Sequence, residues 1–321
     1  MELINTETTS KKLSFLGEGK DYFVIKLVNF LLGGLTLGLY YPWAKAASLK
    51  YLYEHTELDG KRFRFTGTGK EMFVGFIKAV GIILVMYILI IAASLSRNMF
   101  IMFGTFALFY IVFLLLIPIA IHGSLKYRLA RSYWADVQFS YLGDRTTLIK
   151  EFFIGFILTL FTFGLYSSWF NMKIRTYITN HIRFGNAKFS FDGEGMDYFL
   201  LNLKGVIFSV LTLGIYSFWY YKSVIAFLAN HTKLEQEGRE IEFESQIEGV
   251  DLLVLFLTNI LILIFTLGIG KAWVEVRTLK FIFERMLING AFDPSALVNI
   301  EDNFKDATGD DLADMLDINL V

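Results

Sequence analysis

The sequence of 321 residues contains no cysteine, which excludes a disulfide-stapled scaffold and any thiolate metal site. Charge is scarce as well: Asp, Glu, Lys and Arg make up 19%, against about 25% in an ordinary soluble domain. The formal net charge of −1 leaves no electrostatic ground for a nucleic-acid partner. No HExxH pair and no Gly-Lys-Ser/Thr phosphate loop occurs. No segment gathers a nucleophile, a carboxylate pair or a metal set either, so the chain is expected not to be an enzyme and to carry no cofactor. What fills the sequence is apolar: 55% hydrophobic residues, with 33 Phe and 16 Tyr. That is more apolar surface than a compact soluble core hides, and the composition is that of a membrane protein.

Six stretches are long, uncharged and apolar: Leu27–Ala44, Ala79–Leu95, Met99–Ile121, Phe152–Met172, Gly205–Tyr221 and Leu252–Gly270. With their flanks, each reaches or nearly reaches the roughly 20 residues that cross a bilayer. Met1–Lys20 is polar and mixed in charge, so no cleaved signal peptide is expected. Basic residues gather in the polar connections, as at Lys61, Arg62 and Arg64, whereas the link Leu95–Asn98 has only Arg97. By the positive-inside rule these connections and both termini are expected in the cytoplasm, with the chain multi-pass in the membrane.

A repeat organises the chain. The tract Leu35-Thr36-Leu37-Gly38-Leu39-Tyr40 with Trp43 recurs at Thr162, Gly164 and Trp169, at Thr212, Gly214 and Trp219, and in worn form at Thr266, Gly268 and Trp273. Thr to Trp is seven residues each time, and His55, His181, His231 and finally Arg285 follow twelve residues after Trp. Short segments of period-two alternation, such as Phe63-Arg64-Phe65 and Phe189-Ser190-Phe191, lie between the copies and read as strands. Ala79–Leu95 and Met99–Ile121 form an inserted pair without the Thr-x-Gly signature.

The Phe-x-Gly-x-Gly-x-x-Tyr-Phe openings (Phe15 to Phe23, Phe191 to Phe199), the Thr-x-Gly-x-Tyr-x-x-Trp turns and the tract Tyr127-Arg128-Leu129-Ala130-Arg131-Ser132-Tyr133-Trp134 resemble the YjgN family, a domain of unknown function in bacterial inner-membrane proteins. The resemblance runs from about Leu13 to Asp317, and it implies an integral membrane location without an activity. Ala135-Asp136 stands where the family pattern leads one to expect a basic residue and Gly.

The fold expected from this reading is an all-α polytopic membrane protein built from repeated helical hairpins. It has about ten transmembrane helices, the helix after each Thr-x-Gly turn returning across the bilayer, with short cytoplasmic β-strands between repeats. The alternative has six spans, with those second helices lying in the interface. The expected organisation is a polar tail (1–12), a membrane domain (13–290) and an acidic cytoplasmic tail (291–321). The repeats within the membrane domain are 13–64, 65–138 with the inserted pair, 139–190, 191–242 and 243–290.

Of the side chains, His55, His181 and His231 are weak metal candidates; capping of helix-terminal carbonyls is the plainer reading. Lys50, Lys173, Lys222, Arg277 and Lys280 lie inside the return helices. They are candidates to line a cavity, meet lipid headgroups, or snorkel to the interface. The turn motif (Thr36, Gly38, Trp43 and their equivalents) is read as structural. The functional expectation is a transporter- or channel-like bundle for a small molecule or ion that the sequence does not identify. The alternative is a structural or lipid-interacting scaffold. Partners on either reading are the bilayer and, where the chain self-associates, further copies of itself.

Overall fold

Alternating apolar and charged residues flank every helical hairpin. In the computed structural model, which describes residues 10–300, the ten strands so marked join into one closed antiparallel barrel. The chain runs five times through strand, helix, helix, strand. The first passage is β1 (Lys11–Phe15), α1 (Gly19–Leu35), α2 (Tyr41–Glu54) and β2 (Thr56–Leu58). The second is β3 (Lys61–Phe65), α3 (Gly69–Leu95), α4 (Met99–Ala130) and β4 (Ser132–Trp134). The third is β5 (Val137–Tyr141), α5 (Arg145–Phe161), α6 (Ser167–Asn180) and β6 (Ile182–Phe184). The fourth is β7 (Ala187–Phe191), α7 (Gly195–Leu211), α8 (Ser217–Asn230) and β8 (Thr232–Gln236). The fifth is β9 (Arg239–Ser245), α9 (Gly249–Phe265), α10 (Lys271–Glu284) and β10 (Met286–Asn289). Each strand pairs with its neighbours in sequence, and β10 closes on β1 through Lys11↔Ile288 and Lys12↔Leu287.

Period two sorts the barrel's side chains. Leu58, Phe63, Trp134, Val137, Phe184, Ala187, Leu234, Ile241 and Ile288 turn inward and pack together. Arg62, Arg64, Arg183, Lys188, Glu240 and Glu242 alternate with them on the same strands. Membrane-spanning barrels present the opposite pattern, apolar outward; this barrel is built to stand in water. After β10 the chain folds back over the barrel and buries Phe292 and Leu297 in the same core. Gln236 donates to the Asp293 carbonyl, Asn186 to the Ala296 carbonyl at 3.1 Å and Asn299 to the Asp136 carbonyl at 3.1 Å, which fixes the segment in place. Hydrogen bonds from Ser295 hold the Asp293 carboxyl below its usual range.

The all-α expectation is therefore overturned: the strands are not isolated connectors but a complete barrel. The ten-span expectation is overturned as well, and so is its six-span alternative. Among the described residues only α3 and α4 are long and apolar enough to cross a membrane. The physical reason is that four of the six apolar stretches straddle a chain reversal. Leu27–Ala44 contains the end of α1 and the start of α2, and Phe152–Met172, Gly205–Tyr221 and Leu252–Gly270 are broken or ended in the same way. Their helices are 17 and 14 residues long, about 25 and 21 Å at the helical rise, short of a hydrocarbon core of about 30 Å. In α3 and α4 only 17% and 6% of the apolar window is buried within the protein, so neither is a core helix. Residues 301–321 of the expected acidic tail, and 1–9 of the N-terminal one, lie outside the described residues.

The helices form a ring of their own, in which α2 packs on α3, α4 on α5, α6 on α7, α8 on α9 and α10 on α1. Four of these five seams share one device. Trp43 lies against Gly69, Trp169 against Gly195, Trp219 against Gly249, and Trp273 against Gly19. A Cβ added at Gly69 or Gly249 would sit 2.5 or 2.7 Å from the indole. The fifth seam, from α4 to α5, has neither residue: the equivalent slots hold Ile119 and Arg145. In the first three hairpins a tyrosine fixes the other end, a slot that Phe227 and Phe281 fill in the last two. Tyr51 Oη accepts from the Glu18 amide (2.8 Å) and donates to the Glu18 carbonyl (2.9 Å), and Tyr177 does the same with Asp144. Gly249→Ala is accordingly expected to destabilise the chain by about 1–3 kcal/mol through overpacking against Trp219. Gly81→Ala, at a site with open space around it, is the comparison. Thermal midpoints of the two variants in detergent check this, and equal midpoints would remove the seam's role.

Candidate functional site

Where α1, α2 and α10 meet above the barrel, a cavity of about 1000 Å³ opens between them, and Arg128 near the end of α4 reaches its wall. On α2 the lining residues include Lys45, Ser48, Leu49, Leu52 and Tyr53, with Thr56 following at the start of β2. Steps of three and four place the α2 residues on one helical face. From α1 come Tyr22, Lys26 and Asn29, and from α10 Lys271, Glu275, Leu279 and Phe283. Four basic side chains thus face one carboxylate. Lys26 pairs with Glu275 at 3.0 Å and lies 4.8 Å from the centre of the Tyr22 ring. Lys271 approaches the same carboxylate at 4.0 Å. Glu275 is shared between two lysines, and Lys45 and Arg128 add positive charge to the same wall.

Tyr53, Thr56 and Phe283 also line a second, apolar chamber of about 310 Å³, completed by Leu13, Phe63, Leu129, Ser132 and Phe139. It sits in the mouth of the barrel. Beneath it the barrel is filled by Trp134, Phe184, Ile241 and Phe292. The arrangement is a basic chamber above an apolar one that ends on a packed core. Its chemistry suits a ligand with an anionic group and a short apolar body.

The sequence-derived candidates lie elsewhere. Lys173 pairs with Glu151 at 2.6 Å and Lys222 with Glu248 at 3.2 Å. Lys50 and Arg277 are exposed, and Lys280 is half-buried. None of the five lines the basic cavity. The three histidines take the C-cap positions of α2, α6 and α8. Each Nδ1 bonds the carbonyl four residues back, at 2.8, 2.6 and 2.8 Å. Because a carbonyl only accepts, Nδ1 carries the proton. Arg285 reaches Phe281 from the equivalent slot at 3.5 Å. Among the described residues no group of three or more His, Asp or Glu is placed to hold a metal ion. The turn threonines act within the backbone: Thr36 Oγ1 donates to the Leu32 carbonyl and accepts from the Tyr40 amide, and Thr162, Thr212 and Thr266 repeat this. The sequence reading missed the lining set of α2, whose one local signal is the spacing of Lys45, Ser48, Leu49, Leu52 and Tyr53. Its convergence with Lys26 and Glu275 depends on the ring closing.

The family described as "Bacterial protein of unknown function (DUF898)" matches residues 10–210, 187–240 and 222–315, which together take in nearly the whole described chain. The chain belongs to this family. Among similar proteins, "Inner membrane protein YjgN" of Salmonella typhimurium strain LT2 is 40% identical over 86 residues, 27% of this chain and 20% of that protein. "Inner membrane protein YjgN" of Escherichia coli K12 is 43% identical over 68 residues, 21% of this chain and 17% of that protein. The similarity thus spans about a fifth of the length of these relatives. No solved structure matches the chain.

Proposed function

We propose that the chain is an integral protein of the bacterial inner membrane that holds an anionic, lipid-like ligand in the basic cavity. The observation that carries the reading is the convergence of Lys26, Lys45, Lys271 and Arg128 on one cavity directly above an apolar chamber. A phosphate-bearing headgroup matches the first chamber and a short length of acyl chain the second. The membrane location is supported by the exposed apolar length of α3 and α4 and by the name of the similar proteins. A channel-like role draws less support, because the barrel axis below the cavity is filled with packed side chains.

The test is lipid retention. The chain is purified in mild detergent and the co-purifying phospholipid is extracted and separated by headgroup. Wild type is expected to retain anionic phospholipid over zwitterionic. Combining Lys45→Glu with Arg128→Glu should cut that retention about tenfold, equivalent to about 1.4 kcal/mol, without lowering the thermal midpoint. Retention without headgroup preference, or retention unaffected by the two reversals, would sink the reading.

A further inference from the structure

The five hairpins differ at their tips in a way that follows their lengths. In four of them the residue between Thr and Gly is Leu37, Phe163, Leu213 or Leu267, and these side chains are 95%, 98%, 95% and 92% exposed. All four adopt φ of 50 or 51°, the left-handed region in which Gly or Asn is ordinarily found. A bulky apolar residue there strains the backbone and gains no contact with the protein. Leu35, Phe161, Leu211 and Phe265, two residues before, are also exposed. The fifth tip, between α3 and α4, uses the same left-handed backbone at Arg97 (φ 53°) but reads Ser96-Arg97-Asn98. One backbone slot therefore carries an apolar residue at four tips and a guanidinium at the fifth.

Length separates the same two groups. Helices α1, α3, α7 and α9 begin at equivalent glycines, Gly19, Gly69, Gly195 and Gly249. Helix α3 runs 27 residues against 17 for α1, α7 and α9. The ten extra residues carry its tip about 15 Å farther at the helical rise, about half the thickness of a hydrocarbon core. If Arg97 and Asn98 reach the far aqueous boundary, the four apolar tips stop near the bilayer midplane. Ending a chain reversal in hydrocarbon requires that its backbone be satisfied without water. The Thr-x-Gly turn meets that demand. Thr36 Oγ1 bonds the Leu32 carbonyl and the Tyr40 amide, while the Gly38 amide donates to the Gly33 carbonyl at 2.8 Å. The set recurs in the other three.

We infer that the four Thr-x-Gly hairpins are re-entrant: they enter the bilayer from the barrel side and end among the acyl chains of that leaflet, and only the α3–α4 hairpin crosses. The partner of the apolar tips is thus the hydrocarbon of one leaflet, not water or another protein.

The absence of native cysteine makes the test direct. Single substitutions Leu37→Cys, Phe163→Cys and Leu213→Cys probe the tips, Asn98→Cys the crossing hairpin, and Asp59→Cys and Glu237→Cys the barrel turns. Membrane-impermeant maleimide is applied to intact cells and to inverted vesicles. Asn98→Cys should react from one side only and the barrel-turn sites from the other only. The tip sites should react from neither, their labelling rising about tenfold once SDS exposes the thiol, because a thiolate does not form in hydrocarbon. Labelling of the tips from the Asn98 side would show that they cross; labelling from the barrel side would show that they never enter. Either overturns the inference. Where a tip variant fails to accumulate, Leu35→Cys and Leu211→Cys report on the same tips. The inference rests on the membrane location proposed above. Loss of the chain from a carbonate-washed membrane pellet would defeat that location, whereas a retained chain with reactive tips would defeat the re-entrant hairpins alone.

Discussion

Replacing Trp134 with Ala is expected to cost about 3–5 kcal/mol, the range for removing a large aromatic side chain from a packed core. Trp134 is 1% exposed and lies at the centre of the barrel, 5.7 Å from the Phe292 ring and 5.9 Å from that of Phe184. Its Nε1 donates to the carbonyl of Lys61, at the start of the neighbouring strand β3, at 3.0 Å. The substitution therefore opens a cavity and leaves that carbonyl without its indole donor. Trp134→Phe keeps most of the volume and should cost markedly less. The checking measurement is the denaturation midpoint of both variants in the same detergent. A Trp134→Ala chain as stable as wild type would mean that the barrel does not hold the structure together.

Phe292→Asp should be of similar size, for a different reason. Phe292 packs between Trp134 and Phe184 inside the lumen. An ionised carboxylate there gives up its hydration among aromatic rings. The nearby cation, Lys11, 5.6 Å from the Phe292 ring centre, is already paired with Asp59 at 2.7 Å. The cost is therefore several kcal/mol, which the group reduces by binding a proton. The sign of the pH dependence follows. Burial raises the folded-state pKa of the introduced group above its unfolded value, so the folded state binds more protons. The penalty is smallest below the unfolded pKa and grows as pH rises through the folded one. The deficit against wild type should thus shrink on acidification. Phe292→Leu, which keeps an apolar side chain, should show a small deficit that does not change with pH. A pH-independent deficit in Phe292→Asp would place that side chain outside the core.

The strands were legible in the sequence because period two is a local property: Phe63-Arg64-Phe65 and Phe189-Ser190-Phe191 display it within three residues. Their closure into a barrel was not. Pairing of Lys12 with Leu287 leaves no mark in the sequence near either residue. The span count failed because an apolar run records what a segment touches, not whether it reverses. Leu27–Ala44 keeps its hydrophobicity straight through the turn at Thr36 to Tyr40. The candidate cations were chosen by depth along the helix, not by direction around it. Lys50 was singled out by its distance from Trp43, which measures depth along the helix. Lys45, five residues earlier, lies about 140° away around the helix at 3.6 residues per turn. That angle decides which of the two meets Lys26 and Glu275 in the cavity.

The β1–β10 closure also sets an order of events during synthesis. Strand β1 is made first, and its partner edge on β10 emerges about 275 residues later, tens of seconds at about 5–20 residues per second. Through that interval one edge of β1 has no strand to bond, and an open edge invites pairing with other chains. The apolar lumen stays unsealed for the same time, since Phe292 and Leu297 are made later still. A ribosome that stalls before the fifth hairpin therefore leaves four hairpins without their closing seam. The barrel is sealed only when β10 meets β1.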